Sequence, residues 1–277
     1  EAVAVEVVQG AAQDFVGEAV SISKELGRPV KVVFSREDDM SKGAFRPASY
    51  NVLKAGLDAK GELAAWQYKV VQPSILNGTA GDWASALMPR ATPGVAAMVG
   101  KAVAGLAKTF DPTSTEGAST MHYAVPNLSV YYVWDDPVIH LVFWRSVGHS
   151  HQAFFKESFV DEMAAAAKAD PVAFRLSLLQ RHPRHAKVLR LAAEKAGWGT
   201  PLPAAADGAK VMRGVALHES FGTIVAQVAE VSIAAGKEAN KAIRVHRVVC
   251  AVDCGLAVNP NHVRQQMDSA IVFGLSA

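Results

Sequence analysis

Apolar and polar residues alternate with a period of two along several segments, which predicts β-strands there. Two of these segments, 50–57 and 63–71, flank Asp58-Ala59-Lys60-Gly61, a turn composition that predicts an antiparallel hairpin. The predicted strands are 2–8, 29–34, 50–57, 63–71, 128–134, 138–144, 211–217, 224–233 and 243–252.

Apolar residues at helical spacing predict helices between the strands. Asp170-Pro171 and Asn259-Pro260 each place a capping side chain before a proline, a pattern that favours a helix start. Gly197 is positioned to end another helix. The predicted helices are 14–26, 95–108, 152–168, 171–180, 186–196 and a terminal helix that begins at 260.

Together these elements predict an α+β or mixed α/β fold, with sheets of antiparallel pairs flanked by helices and with two subdomains. The composition of 201–208 is typical of a linker, which would divide the chain into 1–200 and 209–277. The chain has 277 residues, of which 50% are hydrophobic and 19% charged. It can therefore bury a substantial core and is neither disordered nor collagen-like in composition.

Net charge and apolar run length argue against two classes of partner. A net charge of +2 gives no field that would attract nucleic acid or an anionic membrane. The longest apolar run, 93–110, is interrupted by Lys101 and Lys108, so we expect no membrane span. Because the chain begins at Glu1 without an initiator methionine, we expect it to be an internal fragment.

The cysteines and the one serine motif do not indicate an active site. If the run that contains Cys250 and Cys254 is extended like a strand, their Cα atoms are roughly 13 Å apart, too far for a mutual disulfide. His218-Glu219 lacks the second histidine of a zinc protease motif. His218 also replaces the first glycine of a nucleophile elbow centred on Ser220.

The remaining histidine pairs have ordinary explanations. We expect His149 and His151 to lie in a polar loop, although both could ligate a metal from one strand face. His182 and His185 flank Pro183, and we expect a solvated connection between helices there. The sequence thus predicts no metal-ligating set.

The segment 143–150 carries the clearest binding signal, since a predicted strand runs there through a glycine-bearing loop into a helix start. Such a junction offers unpaired backbone N–H groups and the positive end of a helix dipole, which favour an anion such as phosphate. Arg145 would add a fixed positive charge, and Gly148 would let a ligand approach the backbone.

This segment also resembles a known family. Residues 143–150 read Phe-Trp-Arg-Ser-Val-Gly-His-Ser, and 153–162 read Ala-Phe-Phe-Lys-Glu-Ser-Phe-Val-Asp-Glu. Both runs resemble the large, molybdopterin-binding subunit of isoquinoline 1-oxidoreductase and its aldehyde dehydrogenase relatives, in the xanthine dehydrogenase family. Further matching runs, in the same order as in the family, lie at 27–32, 35–40, 213–222, 252–255 and 259–260.

The resemblance implies a bacterial molybdenum hydroxylase that oxidises an aldehyde or an N-heteroaromatic substrate at an electron-poor carbon. It implies molybdopterin in its cytosine dinucleotide form, a small iron–sulfur partner subunit that receives the electrons, and a cytochrome as a further acceptor. The compartment stays open between periplasm and cytoplasm.

By resemblance, the loop 144–150 surrounds the cofactor, while 218–222 and 253–259 add lining or support. The cofactor-binding residues that the resemblance implies are Trp144, Arg145, Ser146, Val147, Gly148, His149, Ser220, Phe221 and Gly222.

The sequence departs from the family in three places. The glycine-rich loop G-G-G-F-G-R-R is replaced by Gln-Gly-Ala-Ala-Gln at 9–13. The family's upstream E-M-G-Q-G motif and its downstream G-E-P-G motif, with the glutamate that acts as general base, are not within these 277 residues. We therefore nominate no catalytic residue. The alternative is a non-catalytic chain that keeps the family fold as a scaffold or interaction partner.

Overall fold

The structure is a computed structural model that describes residues 14–35, 37–38, 41, 45–88, 92–135, 141–233 and 242–276. The predicted strand 2–8 and the segment 9–13 lie outside these residues. In chain order the elements are α1 (Asp14–Leu26), β1 (Tyr50–Leu57), β2 (Leu63–Gln72), α2 (Ile75–Leu87), α3 (Pro93–Ala107), α4 (Pro112–Thr115), β3 (Asn127–Trp134), α5 (His149–Ala166), α6 (Pro171–Leu178), α7 (Pro183–Ala196), β4 (Met212–Ser220), β5 (Thr223–Ile233), β6 (Ile243–Asp253) and α8 (Pro260–Ser276).

These elements confirm the predicted α+β class. Strands β1, β2 and β3 form one three-stranded sheet in that order, and β4, β5 and β6 form another. The second sheet is antiparallel throughout. Buried and half-exposed residues alternate along β5, so one face of the second sheet is apolar, and α7 packs against β5 and β6.

The described residues divide into two compact units of interleaved segments. One unit comprises Glu1–Leu53, Tyr68–Ser119 and Ser129–Gln152, and the other comprises Lys54–Gln67, Thr120–Leu128 and Ala153–Ala277. The predicted linker 201–208 lies within the second unit, and the predicted division at that linker stays a prediction.

In the first unit, helices α2 and α3 and a buried carboxylate organise residues 74–115. Helices α2 and α3 approach so closely that a Cβ on Gly100 would lie 2.9 Å from Gly81 Cα. Asp111 is buried and accepts hydrogen bonds from Ser74 Oγ and Ser114 Oγ, each at 2.7 Å. Since Ser74 is the N-cap of α2, one carboxylate fixes the starts of both α2 and α4.

In the second unit, helices α5, α6 and α7 build the core. Val160, Leu179 and Leu189 are at most 1% exposed, and the Trp66 and Phe159 rings meet edge to face at 4.7 Å. Gly197 ends α7 in the left-handed conformation, as predicted.

One strand prediction was wrong, a second was wrong in its described part, and two helices were missed. Residues 29–34 form no strand, because no described strand pairs with them and Val33 and Phe34 are exposed. Of the predicted strand 138–144, residues 138–140 lie outside the described part, and 141–144 make only a single bridge between Leu141 and Phe45. Helices α2 and α4 were not predicted.

None of the helices in the described part of the chain combines the length and apolar character that crossing a bilayer requires.

Candidate functional site

The loop 143–149 is a tight turn that leads into α5. Val147 N–H donates to Trp144 O at 2.8 Å, and Val147 adopts φ 49°, an uncommon conformation for a β-branched residue. Ser150 Oγ donates to Val147 O at 2.9 Å and lies 2.5 Å from Ser146 Oγ. Local hydrogen bonds, rather than a strand partner, therefore hold this turn.

Gly148 is buried against the segment that follows α4. A Cβ at this position would lie 2.3 Å from Thr113 O and 3.2 Å from Glu116 Cβ. Burial and the Asp111 carboxylate raise the pKa of Glu116, while the Gly148 amide acts in the opposite direction. Close packing within the chain thus already requires glycine at 148, and its role toward a cofactor stays a prediction.

Aromatic and cationic side chains flank the same turn. The Arg46 guanidinium lies 5.0 Å from the centroid of the Trp144 ring. Phe143 stacks on Trp83 with a centroid distance of 6.2 Å. Arg145 is exposed, so its charge faces solvent at the turn.

The prediction of a polar loop for His149 and His151 was wrong, because both lie in the first turn of α5 and are buried. His151 Nε2 lies 2.7 Å from Gln72 Oε1. Burial, with a smaller contribution from the Arg46 charge, lowers the pKa of His151 to about 4. This histidine is therefore neutral at pH 7, and its contact with Gln72 supports the first turn of α5.

The other predicted cofactor residues form the turn between β4 and β5. Ser220 pairs with Thr223 across a two-residue hairpin turn. Both turn residues have positive φ, 49° at Phe221 and 81° at Gly222. A phenylalanine that is 69% exposed in this conformation is a strained and unusual arrangement.

The structure places 144–149 in the first unit and 220–222 in the second. Within each unit the predicted residues are contiguous.

An ion pair and a backbone hydrogen bond anchor the start of the segment 253–259. Asp253 accepts two hydrogen bonds from Arg184, at 2.9 and 2.7 Å, and one from Gly255 N–H at 3.0 Å. The Arg184 hydrogen bond, with that of Gly255, holds the pKa of Asp253 well below its usual range. Both cysteines are free thiols, in agreement with the sequence argument.

A histidine and carboxylate cluster at the end of β4 was missed by the sequence argument. Glu219 Oε2 lies 3.0 Å from His122 Nε2 and 2.8 Å from His185 Nε2. The His122 and His185 rings stack at 4.3 Å, and the His182 ring meets His122 edge-on at 5.3 Å. Burial lowers the pKa of both His122 and His185, while Glu219 acts to raise them.

The prediction that His185 is solvated was wrong, since its side chain is only 7% exposed. The three clustered residues come from a loop, the first turn of α7 and the end of β4. No spacing rule in the sequence joins positions so far apart along the chain.

Buried charged side chains connect α5 to α6 and to β4. Glu157 accepts from Arg175 Nε at 3.0 Å, from Tyr123 OH at 3.1 Å and from Leu217 N–H at 2.9 Å. Nearby, Lys156 Nζ lies 2.9 Å from His218 Nδ1, and burial lowers the pKa of Lys156. Both oxygens of the buried Glu157 carboxylate thus accept hydrogen bonds, which is typical of a structural role.

Comparison with known proteins found related sequences along almost the entire chain. The chain is 30% identical to the beta subunit of isoquinoline 1-oxidoreductase from Brevundimonas diminuta, over 94% of its own length and 30% of the relative. It is 29% identical to a nicotinate dehydrogenase subunit from Pseudomonas putida, over 96% of its length and 22% of the relative. It is 28% identical to a membrane-bound aldehyde dehydrogenase of Gluconacetobacter polyoxogenes, over 95% of its length and 34% of the relative.

The chain thus spans about a third or less of each of these relatives. No known family profile matches it. Among solved structures, an aldehyde oxidoreductase from Desulfovibrio gigas is similar, with a TM-score of 0.43 and 17% identity, over 81% of this chain and 23% of that one. The sequence similarity confirms the resemblance seen in the motifs: the chain is similar to the isoquinoline 1-oxidoreductase beta subunit, to a nicotinate dehydrogenase subunit and to an aldehyde dehydrogenase.

Proposed function

We propose that the chain forms part of a molybdenum-cofactor-dependent oxidoreductase that hydroxylates an aldehyde or N-heteroaromatic substrate. The observation that carries the proposal is the sequence relationship over 94% or more of the chain to three proteins named as oxidoreductases or dehydrogenases. The intact run 143–150 adds local support, because it is the strongest motif shared with that family.

The described residues fit an anionic, polar cofactor at the turn before α5. Arg145 supplies an exposed positive charge that suits a phosphate group. Glu116 Oε2, packed beside Gly148, is buried and has no hydrogen-bond partner among the described residues. A buried oxygen without a partner is an acceptor that a polar donor group of a ligand can satisfy.

In this proposal, residues 144–149 and residues 220–222 are each assigned to contacts with molybdopterin in its cytosine dinucleotide form. Bound molybdopterin supplies two-electron redox chemistry at its metal. Arg145 neutralises phosphate charge, and the Ser146 hydroxyl forms a hydrogen bond with the ligand. The Trp144 ring, which contacts the Arg46 guanidinium, shields one side of the ligand from water. The exposed Phe221 adds an apolar surface from its own turn.

The partners belong to the same proposal. Two of the relatives are named as subunits, which supports an assembly of more than one chain. We assign the electrons released to a small iron–sulfur subunit and then to a cytochrome. The division into 1–200, a linker 201–208 and 209–277 is proposed as two parts of the cofactor-binding region.

A second candidate is a family-fold scaffold that binds no cofactor. The sequence feature that favours it is the segment 9–13, which has one glycine where the family has a glycine-rich loop.

The test is oxidation of substrate by the complete protein, isolated from its own host, in water enriched in oxygen-18 with an artificial electron acceptor. An aldehyde plus water should give a carboxylic acid, two electrons and two protons, with the label in the acid. An N-heteroaromatic substrate should likewise gain a labelled oxygen. Absence of turnover over both substrate classes would favour the scaffold.

A further inference from the structure

Three side chains from distant parts of the second unit converge on one point. His122 lies in the connection before β3, His185 in the first turn of α7, and Glu219 one residue before the end of β4. One ligand atom from each lies within 4.8 Å of the others. None of the three is among the residues assigned to contact the cofactor, although Glu219 directly precedes Ser220 in β4.

Both imidazoles in this cluster place a ring nitrogen close to the same carboxylate oxygen. His185 Nε2, in a side chain that is only 7% exposed, lies 2.8 Å from Glu219 Oε2. His122 Nε2 approaches the same oxygen at 3.0 Å. Two ring nitrogens and one carboxylate oxygen therefore face a common point, as ligands around a cation do.

We propose that His122, His185 and Glu219 are the three protein ligands of a divalent transition-metal ion, Zn²⁺ in the first instance, with a fourth position open to water. Two imidazoles and one carboxylate are a donor set that zinc accepts, and three protein ligands with one open position are typical of zinc sites that bind a further ligand. The side chains of His122 and Glu219 are 29% and 23% exposed, which gives the ion and a water molecule access.

The two nitrogen-to-oxygen distances require only a small adjustment to fit a zinc ion. Donor atoms around tetrahedral zinc are roughly 3.4 Å apart, given metal–ligand bonds of about 2.1 Å. The two nitrogen-to-oxygen distances of 3.0 and 2.8 Å are a few tenths of an ångström shorter. His185 is anchored on α7 and Glu219 on β4, so the less buried His122 side chain can provide much of the opening.

The surrounding charges moderate the expected affinity. Buried Lys156 interacts electrostatically with both His122 and Glu219 and opposes an added positive charge. Arg184 is engaged by Asp253, and the His182 ring lies edge-on to His122 outside the set of three. We therefore expect measurable binding that is weaker than in a site without a neighbouring lysine.

The experiment is a titration of the complete, chelator-treated protein with Zn²⁺ alone, in competition with a chromophoric chelator. The variants are His122→Ala and Glu219→Gln, with His262→Ala, an exposed histidine on α8, as the matched control. We expect one Zn²⁺ per chain whose affinity falls at least about tenfold in each ligand variant and is unchanged in the control.

A second readout guards against variants that are merely misfolded. With Co²⁺ in place of Zn²⁺, the wild type and the control should show the visible absorption of a four-coordinate site. The ligand variants should lack this absorption although their far-ultraviolet circular dichroism is unchanged. Zinc should also raise the thermal unfolding midpoint of the wild type and of the control, but not that of the two ligand variants. Equal Zn²⁺ affinity in wild type and both ligand variants, or no binding by the wild type, would overturn the site.

Discussion

At the scale of single residues, the neighbours of Gly148 leave no room for a side chain. A Cβ would lie 2.3 Å from the backbone oxygen of Thr113, an atom that cannot rotate away. We expect Gly148→Ala to lower the free energy of unfolding by about 1–3 kcal/mol, the usual range for overpacking. Urea denaturation of wild type and variant measures this.

The matched control is Gly105→Ala. Gly105 lies within α3, and a Cβ there would meet no atom within 4 Å. Alanine should stabilise the helix by up to about 1 kcal/mol. If both alanine variants shifted stability in the same direction by similar amounts, the packing described around Gly148 would be wrong.

Arg175 is the second residue whose surroundings give a sharp expectation. Its guanidinium is fully buried and donates to Glu157 at 3.0 Å and to Asp161 at 2.6 Å. Arg175→Met would leave the Glu157 carboxylate buried without its cation, which typically costs about 3–5 kcal/mol. Chemical denaturation should show that loss, whereas Arg244→Ala, which breaks the exposed pair with Asp207, should change little. Equal effects would contradict the buried network.

Part of the candidate site can be predicted from the sequence, and part of it depends on tertiary packing. The run 143–150 is continuous, so its resemblance was visible without a structure. His122, His185 and Glu219 become neighbours only when a loop, α7 and β4 pack together. His185 also follows Pro183 in a short polar stretch, and such stretches typically lie at the protein surface. The burial of that face of α7 cannot be inferred from those residues alone.

At the scale of elements, caps and turns explain the correct predictions. Asp170 Oδ1 accepts from Val172 N–H at 3.0 Å and Ala173 N–H at 2.9 Å, and Oδ2 accepts from Trp198 Nε1 at 2.8 Å. We expect Asp170→Ala to destabilise the protein by about 1 kcal/mol or somewhat more, since it removes the cap and the link to Trp198. Asp170→Asn keeps a capping oxygen and should lose less in thermal unfolding. The reverse order would contradict the cap.

The failed predictions also have an element-scale cause. Residues 29–34 have strand-like residues, but a strand needs a partner, and no described strand lies beside them. Helix α2 depends on Ser74 and Asp111, which meet through a long-range contact that local periodicity does not encode. Local patterns therefore located the hairpin and the capped helices, while tertiary contacts decided the other segments.

At the scale of the whole molecule, the last helix and the segment before it carry exposed apolar residues. No residue of α8 is buried, and Leu256 and Val258 before it are 87% and 88% exposed. The relatives are about three times longer or more, since the chain spans 22–34% of each of them. Exposed apolar residues of this kind fit a chain whose function, as proposed, depends on a larger assembly.

The most direct test of the account is the molybdenum content of the complete protein isolated from its own host, measured by elemental mass spectrometry. We predict about one molybdenum per chain in the wild type and a lower ratio in Arg145→Ala. Arg190→Ala, which removes an exposed arginine from α7, should retain the wild-type ratio. Protein that is folded but free of molybdenum would contradict the proposed function, and an unchanged ratio in Arg145→Ala would contradict the role assigned to that turn.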